Sequence, residues 1–225
     1  MTVKKQTAAG TKRAARSARR RKQTREEILD VAREVIFATG FQSFALTAVA
    51  EELGLTKPAL YYYFPSKEAL LFEVVLDELV ASAAEIQAAV EQTDTGADAV
   101  EALMRTCFDR YRDNLRAFAL THTVGSIPPE YRKLVGPAEL ERIRPINDMT
   151  YGGTEQRLRA DQRAGRFPKH RNPRRFAFTA HMAVVGVLNM KAITESANDP
   201  LIHRDDDLID SLCKTFRAAA SGDKR

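Results

Sequence analysis

Residues 47–71 contain two short helical segments separated by a Gly-Leu pair at positions 54–55, and this arrangement most limits the folds open to the chain. The first segment begins at Thr47, a residue type favoured at helix N-caps. The second follows Thr56 and has Pro58 in its first turn, where a missing N–H costs nothing. Such a pair has the length and turn chemistry of a helix-turn-helix, whose second helix can enter a DNA major groove about 12 Å wide.

The second segment ends in three consecutive tyrosines, residues 61–63. Successive helical residues point about 100° apart, so at least one or two of these rings must face solvent or a partner. We expect Leu60 and Phe64 to face back onto the first helix of the head. Tyrosine hydroxyls reach phosphates, lysine adds charge and alanine allows close approach to a thymine methyl. The side chains expected to face DNA are therefore Lys57, Ala59, Tyr61 and Tyr62. The alternative is an ordinary packed helical hairpin.

The remaining sequence also has helical periodicity, without strand-like alternation longer than a few residues, and predicts an all-α fold. A capping box of Thr24 and Glu27 predicts the start of a first helix over about residues 25–39, and Gly40 its end. A polar break at residues 92–96 ends the helix that starts at Ser66. Further helical segments are predicted at about residues 97–119, 131–166, 176–193 and 208–219. Bends in the second of these are predicted at Pro137, Pro145 and the Gly152-Gly153 pair.

Charge is distributed unevenly along the chain. Residues 1–22 carry nine lysines and arginines and no acid, whereas residues 23–225 hold 26 basic and 30 acidic residues. A basic segment with little to bury is typical of a disordered arm that binds polyanions, although its composition alone also resembles a transit peptide. Residues 23–72 have a formal charge of −3. We therefore expect the arm to supply much of the non-specific attraction to DNA.

Several function classes are disfavoured. The sequence has no phosphate-binding glycine loop, no convincing catalytic arrangement and no histidine or cysteine pair at metal-ligand spacing. We expect no enzymatic activity, no cofactor and no metal site. Cys107 and Cys213 lie far apart, which favours a reducing compartment. The longest near-apolar run, residues 176–190, is shorter than the roughly 20 residues that cross a membrane, and it predicts a buried helix.

Residues 24–80 resemble the DNA-binding region of the TetR family of repressors, in TREEILDVAREVIFATGF and LTAVAEELGLTKPALYYYFPSKEALL. The resemblance implies a three-helix head at residues 23–72 and a larger C-terminal helical bundle at residues 73–225 for dimerisation and effector binding. It also implies a homodimer whose heads bind a pseudo-palindromic double-stranded operator and release it when a small molecule binds. By similarity, the positions that contact DNA are Thr47, Thr56, Lys57, Ala59, Tyr61, Tyr62 and Lys67.

The C-terminal segments contain candidates for binding a largely apolar effector with one polar or anionic group. His181 and Asn189 lie about two turns apart on an otherwise apolar helix, where each needs a polar partner. Such a residue either forms a hydrogen bond within the bundle or dimer seam, or anchors a ligand. The candidate ligand-binding residues are Met104, Phe108, Tyr111, Phe118, His122, His181, Met182 and Asn189, with Met190 as a further lining residue. For each of them, simple core packing is the alternative.

Two further segments of the C-terminal region allow predictions about an anion contact and about dimerisation. Residues 163–175 form a basic loop that is either solvated surface or a contact for an anionic effector. Residues 176–197 and 207–220 predict a four-helix dimer seam, because a helix that is apolar all round needs cover. The sequence thus predicts a cytoplasmic, nucleoid-associated bacterial repressor. The alternative is a ligand-independent DNA-binding or architectural helical dimer.

Overall fold

A computed structural model describes residues 3–40, 43–122, 136–197 and 203–221, with side chains left out for residues 3–14 and 196–197. These ranges are helical and contain no strand, which confirms the all-α prediction. The chain divides into two compact units, residues 1–74 and 75–225. The helices are α1 (Val3–Thr39), α2 (Leu46–Glu52), α3 (Lys57–Tyr63), α4 (Lys67–Glu91), α5 (Gly96–Tyr111), α6 (Leu115–His122), α7 (Pro137–Arg163), α8 (Pro173–Ala197) and α9 (Asp205–Ala220).

Helix α1 is longer than the sequence predicts. It begins at Val3 and includes the basic segment expected to be a disordered arm. Alanine, lysine and arginine, which dominate this segment, are good helix formers, and no proline interrupts them before Thr39. Thr24 therefore lies inside the helix and does not cap it. Its expected partner Glu27 instead accepts a hydrogen bond from Gln23 Nε2 at 3.1 Å.

The turns of unit 1 follow the local sequence chemistry closely. Gly40 and Gly54 have φ values of 79° and 60°, a left-handed conformation that glycine adopts without strain. Thr56 caps α3 by accepting a hydrogen bond from Ala59 N at 3.3 Å, as its residue type predicts. The predicted cap at Thr47 is wrong, since Ala45 occupies the N-cap of α2 without a side-chain hydrogen bond.

The core of unit 1 is built from the apolar faces of its helices. Leu60 and Phe64 are buried, as expected from their spacing on and after α3. Helix α2 packs against both α1 and α3. The other fully enclosed side chains of this core include Ile28, Ala32, Val49 and Leu70. Their burial holds α3 in place while its tyrosine side remains free of the core.

In unit 2, α5 is the central helix and packs against α7, α8 and α9. The sequence predicts one helix over about residues 97–119, but the chain breaks after Tyr111 and resumes as α6. Asn114 explains the break, because its Oδ1 accepts a hydrogen bond from Ala117 N at 3.1 Å and so caps the new helix. The short turn redirects the chain so that α6 packs against α8.

Helix α7 is continuous, whereas the sequence predicts bends within it. Pro145 and the Gly152-Gly153 pair all lie inside the helix, and Pro137 lies in its first turn. A Cβ at Gly153 would lie 3.0 Å from Val90 Cγ1, so this glycine permits close packing and not a turn. The first part of the predicted segment, residues 131–135, lies outside the described residues.

Helix α8 has one buried and one exposed side. Ala177, Ala180, Val184 and Leu188 are fully buried at helical spacing. The sequence predicts a run too short for a membrane, but Pro173–Glu195 is long and apolar enough to cross one by length and composition. Core helices of water-soluble proteins pass the same test, and only 28% of this segment is buried within the chain. The exposed apolar remainder needs a different cover.

Candidate nucleic-acid interface and effector site

Helix α3 presents two tyrosines to solvent. Tyr61 is 41% exposed and Tyr62 is 64% exposed, whereas Leu60 between Ala59 and Tyr61 is completely buried. Lys57 is exposed at the start of the helix, and its Nζ lies 6.0 Å from the centroid of the Tyr61 ring. The helix therefore offers a cation and two phenol groups on one accessible side, which is the chemistry expected for contacts with phosphates and base edges.

The other predicted DNA-facing residues differ in accessibility. Thr47 and Thr56 are exposed, and Ala59 is half-buried. Lys67 is also half-buried, and its Nζ lies 5.6 Å from the centroid of the buried Phe44 ring. This cation–π geometry gives Lys67 a packing role within the head in addition to any contact outside it.

The basic part of α1 reaches the same side of the head. Arg21 Cζ lies 5.0 Å from the centroid of the Tyr62 ring, and Arg21 is itself exposed. Residues 16–22 add four more exposed cations to this helix. One turn later, Arg25 pairs with Glu73 at 2.7 Å. The Arg21–Tyr62 contact was not expected, because the sequence predicts that the first helix begins at about residue 25. A continuous α1 therefore places the cations of residues 16–22 on the side of the head where Tyr62, the most exposed ring of α3, lies.

Within unit 2, four of the candidate effector residues lie in one cluster. Tyr111, Phe118 and His122 contact one another, with ring centroids 5.1 to 5.9 Å apart. The His181 ring centroid lies 5.8 Å from that of His122. We call Tyr111, Phe118, His122, His181 and the adjoining Tyr151 the histidine cluster. Helices α5, α6, α7 and α8 each contribute to it, so its geometry depends on how they pack.

His181 is the polar centre of the histidine cluster. It is buried, and its Nδ1 lies 2.7 Å from Tyr151 Oη. If the tyrosine hydroxyl donates this bond, Nε2 carries the ring proton. No described atom forms a hydrogen bond with His181 Nε2. A buried polar nitrogen without a partner costs free energy, so this atom is a ready contact for a polar group of a ligand.

Burial also sets the charge of both histidines. It lowers the pKa of His181 to about 4, with the nearby His122 acting in the same direction. Burial likewise lowers the pKa of His122 to about 4, against a small opposing effect of the Phe118 backbone. Both rings are therefore neutral near pH 7, and His122 Nδ1 lies 2.7 Å from Thr121 Oγ1. Neutral imidazoles serve as hydrogen-bond partners rather than as counterions.

The remaining candidates fall into two groups. Met104 and Phe108 are completely buried on α5, in the two turns before Tyr111. Met182, Asn189 and Met190 are instead exposed on α8, so this chain alone does not place them in a buried pocket. Tyr151 was missed because nothing in its local sequence indicates a hydrogen bond to a residue 30 positions away. Among the side chains that the structure describes, no His, Cys, Asp or Glu group is arranged to hold a metal ion.

Three comparisons connect this geometry to known proteins. Residues 28–74 match the family model described as bacterial regulatory proteins, tetR family. UidR, an HTH-type transcriptional regulator of Escherichia coli (strain K12), is 32% identical over 68 residues, which make up 30% of this chain and 35% of UidR. The match therefore spans about a third of that relative.

Solved structures share the fold over most of the chain. A TetR/AcrR-family transcriptional regulator from Thermobifida fusca YX-ER1 has a TM-score of 0.64 at 21% identity and covers 90% of this chain and 100% of its own. The transcriptional regulator FadR from Bacillus subtilis, in complex with stearoyl-CoA, has a TM-score of 0.66 at 14% identity, with coverages of 86% and 98%. Residues 28–74 therefore resemble bacterial regulatory proteins of the tetR family, and most of the chain shares the fold of these two solved regulators.

Proposed function

We propose that this protein is a cytoplasmic transcriptional repressor that binds a pseudo-palindromic operator as a homodimer and releases it when a small effector binds. The proposal depends mainly on the exposure of Tyr61 and Tyr62 on α3. The opposite side of this segment is packed into the head through the buried side chains of Leu60 and Phe64. Large exposed rings on a short, firmly packed helix indicate a binding surface. Lys57 and Arg21 add positive charge beside those rings.

The second copy is proposed to cover the exposed side of α8. Met182, Met190 and Ile193 are exposed large apolar side chains on that side, and Gly186 among them has open space at its Cβ position. A stripe with a glycine at its middle allows two equivalent helices to approach closely across a two-fold axis. Helix α9 packs against α8 and would complete a four-helix seam. This assignment also gives the exposed Asn189 a place within the seam.

The histidine cluster is proposed as the effector-responsive site. It combines apolar rings with one buried nitrogen, His181 Nε2, that has no hydrogen-bond partner among the described residues. Ligand sites are commonly apolar with a few well-placed polar groups. FadR, which shares the fold, holds stearoyl-CoA in its structure. For this chain we propose a largely apolar molecule that supplies one hydrogen-bond partner to His181.

The test is a binding assay on DNA from upstream of the protein's own gene. Tyr62→Ala should weaken specific binding by about 1–3 kcal/mol, the loss expected for one good contact, without unfolding the protein. Leu140→Ala is the matched control, because Leu140 is 53% exposed on α7, outside the head. Unchanged affinity of Tyr62→Ala for the operator would show that α3 does not carry specific binding.

The ligand-independent alternative is separated by a different measurement. An effector-responsive repressor loses operator affinity in the presence of some apolar small molecule, and that loss should be diminished by His181→Phe. An architectural protein keeps its affinity whatever is added. A screen in which only hydrophilic sugars or metal ions release DNA would contradict the proposed effector chemistry.

A further inference from the structure

A groove of about 590 Å³ lies between α7 and α8, outside the histidine cluster except for the shared Tyr151. Two aromatic side chains, Tyr151 and Phe178, form its apolar wall, with ring centroids 5.8 Å apart. The polar residues around it are Asn147, Glu155, Arg159, Asn172, Arg174 and Arg175. We call this site the α7–α8 groove. It is large enough for a small organic molecule, and three of its eight lining residues are arginines.

The three arginines are not equally engaged. Arg159 and Arg174 both contact Glu155, at 2.7 and 3.1 Å, and Arg174 also contacts Asp148 at 2.7 Å. No carboxylate among the described residues pairs with Arg175, and its side chain is exposed. The groove therefore has an excess of positive charge, and Arg175 carries the guanidinium that remains available for a partner. Guanidinium forms strong, directional pairs with carboxylate and phosphate.

The position of Arg175 adds to this argument. Helix α8 begins at Pro173 and has no acid in its first turn, so Arg174 and Arg175 stand at the positive end of the helix dipole. Asn172 Oδ1 caps the helix by accepting a hydrogen bond from Arg175 N at 2.9 Å. Two cations at a helix N-terminus are locally unfavourable. Local conflicts of this kind tend to occur at functional sites, and a bound anion would relieve this one.

We propose that the α7–α8 groove binds a small organic anion, a carboxylate or phosphate monoester on an apolar body. Arg175 pairs with the anionic group, and the rings of Tyr151 and Phe178 contact the body. Arg174 lies over Tyr151, with its Cζ 6.0 Å from the ring centroid, and keeps that ring in place while its own charge is partly neutralised. Binding at this groove does not require that the protein bind DNA.

The groove is connected to the protein interior by one residue. Tyr151 lines the groove with its ring and places its hydroxyl 2.7 Å from His181 Nδ1. An occupant that shifts the Tyr151 ring therefore changes the hydrogen bond that orients His181. The groove is thus a second, outward-facing site whose occupancy is sensed by the histidine cluster.

A single tryptophan reports on occupancy, because the chain contains none of its own. Phe178→Trp places the reporter in the groove wall, and Leu140→Trp places it at an exposed position of α7 outside the groove. Each variant is titrated with benzoate, phenyl phosphate, inorganic phosphate and benzyl alcohol while tryptophan fluorescence is followed. Thermal denaturation of the unsubstituted protein with the same four probes gives a second measurement that needs no reporter.

The proposal predicts saturable signals with benzoate and phenyl phosphate in Phe178→Trp and none in Leu140→Trp. Inorganic phosphate and benzyl alcohol should each bind at least about tenfold more weakly, since each lacks one of the two interactions. Arg175→Gln should weaken binding of the organic anions by about tenfold or more. The control Arg163→Gln, at an exposed arginine outside the groove, should not.

Three results would overturn the proposal. These are the absence of binding by either organic anion in both measurements, equal binding of inorganic phosphate, and equal effects of Arg175→Gln and Arg163→Gln. Since no DNA is present, failure here leaves the proposed repressor function untouched. Conversely, loss of DNA binding in Tyr62→Ala would not alter these titrations.

Discussion

Acidification should destabilise unit 2 through its two buried histidines. The pKa of His181 is lowered from 6.5 to about 4, so the folded state resists protonation that the unfolded chain accepts. The stabilising effect of the neutral ring is present above about pH 6.5 and is lost as the pH falls towards 4. From the pKa values of 6.5 in the unfolded chain and about 4 in the folded protein, the free energy of unfolding should fall by about 2 kcal/mol between pH 7 and pH 5 because of His181. Burial lowers the pKa of His122 in the same way, so this ring adds to the loss.

Urea unfolding at pH 7, 6 and 5 measures this loss as a change in the free energy of unfolding. His181→Phe should be less stable at pH 7, because Tyr151 Oη loses its hydrogen-bond partner. Its stability should nevertheless fall less steeply with acidification than that of the unsubstituted protein. His203→Gln, at an exposed histidine, is the control and should keep the original slope. If His181→Phe and the unsubstituted protein lose the same free energy between pH 7 and pH 5, the buried neutral ring is not the cause.

Three further predictions concern the basic segment, the packing of unit 2 and the proposed dimer seam. Deleting residues 1–21 should lower affinity for all DNA sequences and leave the sequence preference intact. The slope of log K against log salt concentration should become shallower by about 0.9 for each phosphate that this segment neutralises. An unchanged slope would contradict a DNA-binding role for the segment. Gly96→Ala should lower the free energy of unfolding in urea by at least about 2 kcal/mol, because the new Cβ would lie 2.9 Å from Leu158 Cα of α7. The control Gly152→Ala has open space around its new Cβ and should not destabilise the protein. Met190→Glu should convert the proposed dimer to a monomer in sedimentation, and Leu140→Glu, on an exposed part of α7, should leave the dimer intact.

The local chemistry of unit 1 made its fold predictable. Gly54 and Thr56 act within a few residues of themselves, so their turn and cap can be recognised in the sequence. The same reasoning failed at Thr24, because a good capping residue does not start a new helix where the preceding residues also favour helix. In unit 2 it failed at Gly153, where close packing against another helix replaces the turn that a glycine pair suggests.

The candidate sites of unit 2 were only partly predictable. His181 stood out as a polar residue on an apolar helix, but its partner Tyr151 comes from a different helix, and no periodicity identifies such a pair. Asn189 gave the same signal and proved exposed. Residues 163–175 stood out by charge, yet which of their arginines are neutralised depends on carboxylates of α7 such as Glu155. Long-range contacts of this kind require the folded structure.

The most direct test of the central proposal is a nuclease protection experiment on DNA from upstream of the gene. We expect a protected pseudo-palindromic site, with two half-sites about one helical turn or a multiple of it apart, because the two α3 helices of the proposed dimer would enter successive major grooves. Tyr62→Ala should lose that protection at concentrations where Leu140→Ala retains it. Protection that persists unchanged in Tyr62→Ala, or binding without any preferred site, would contradict sequence-specific recognition through α3.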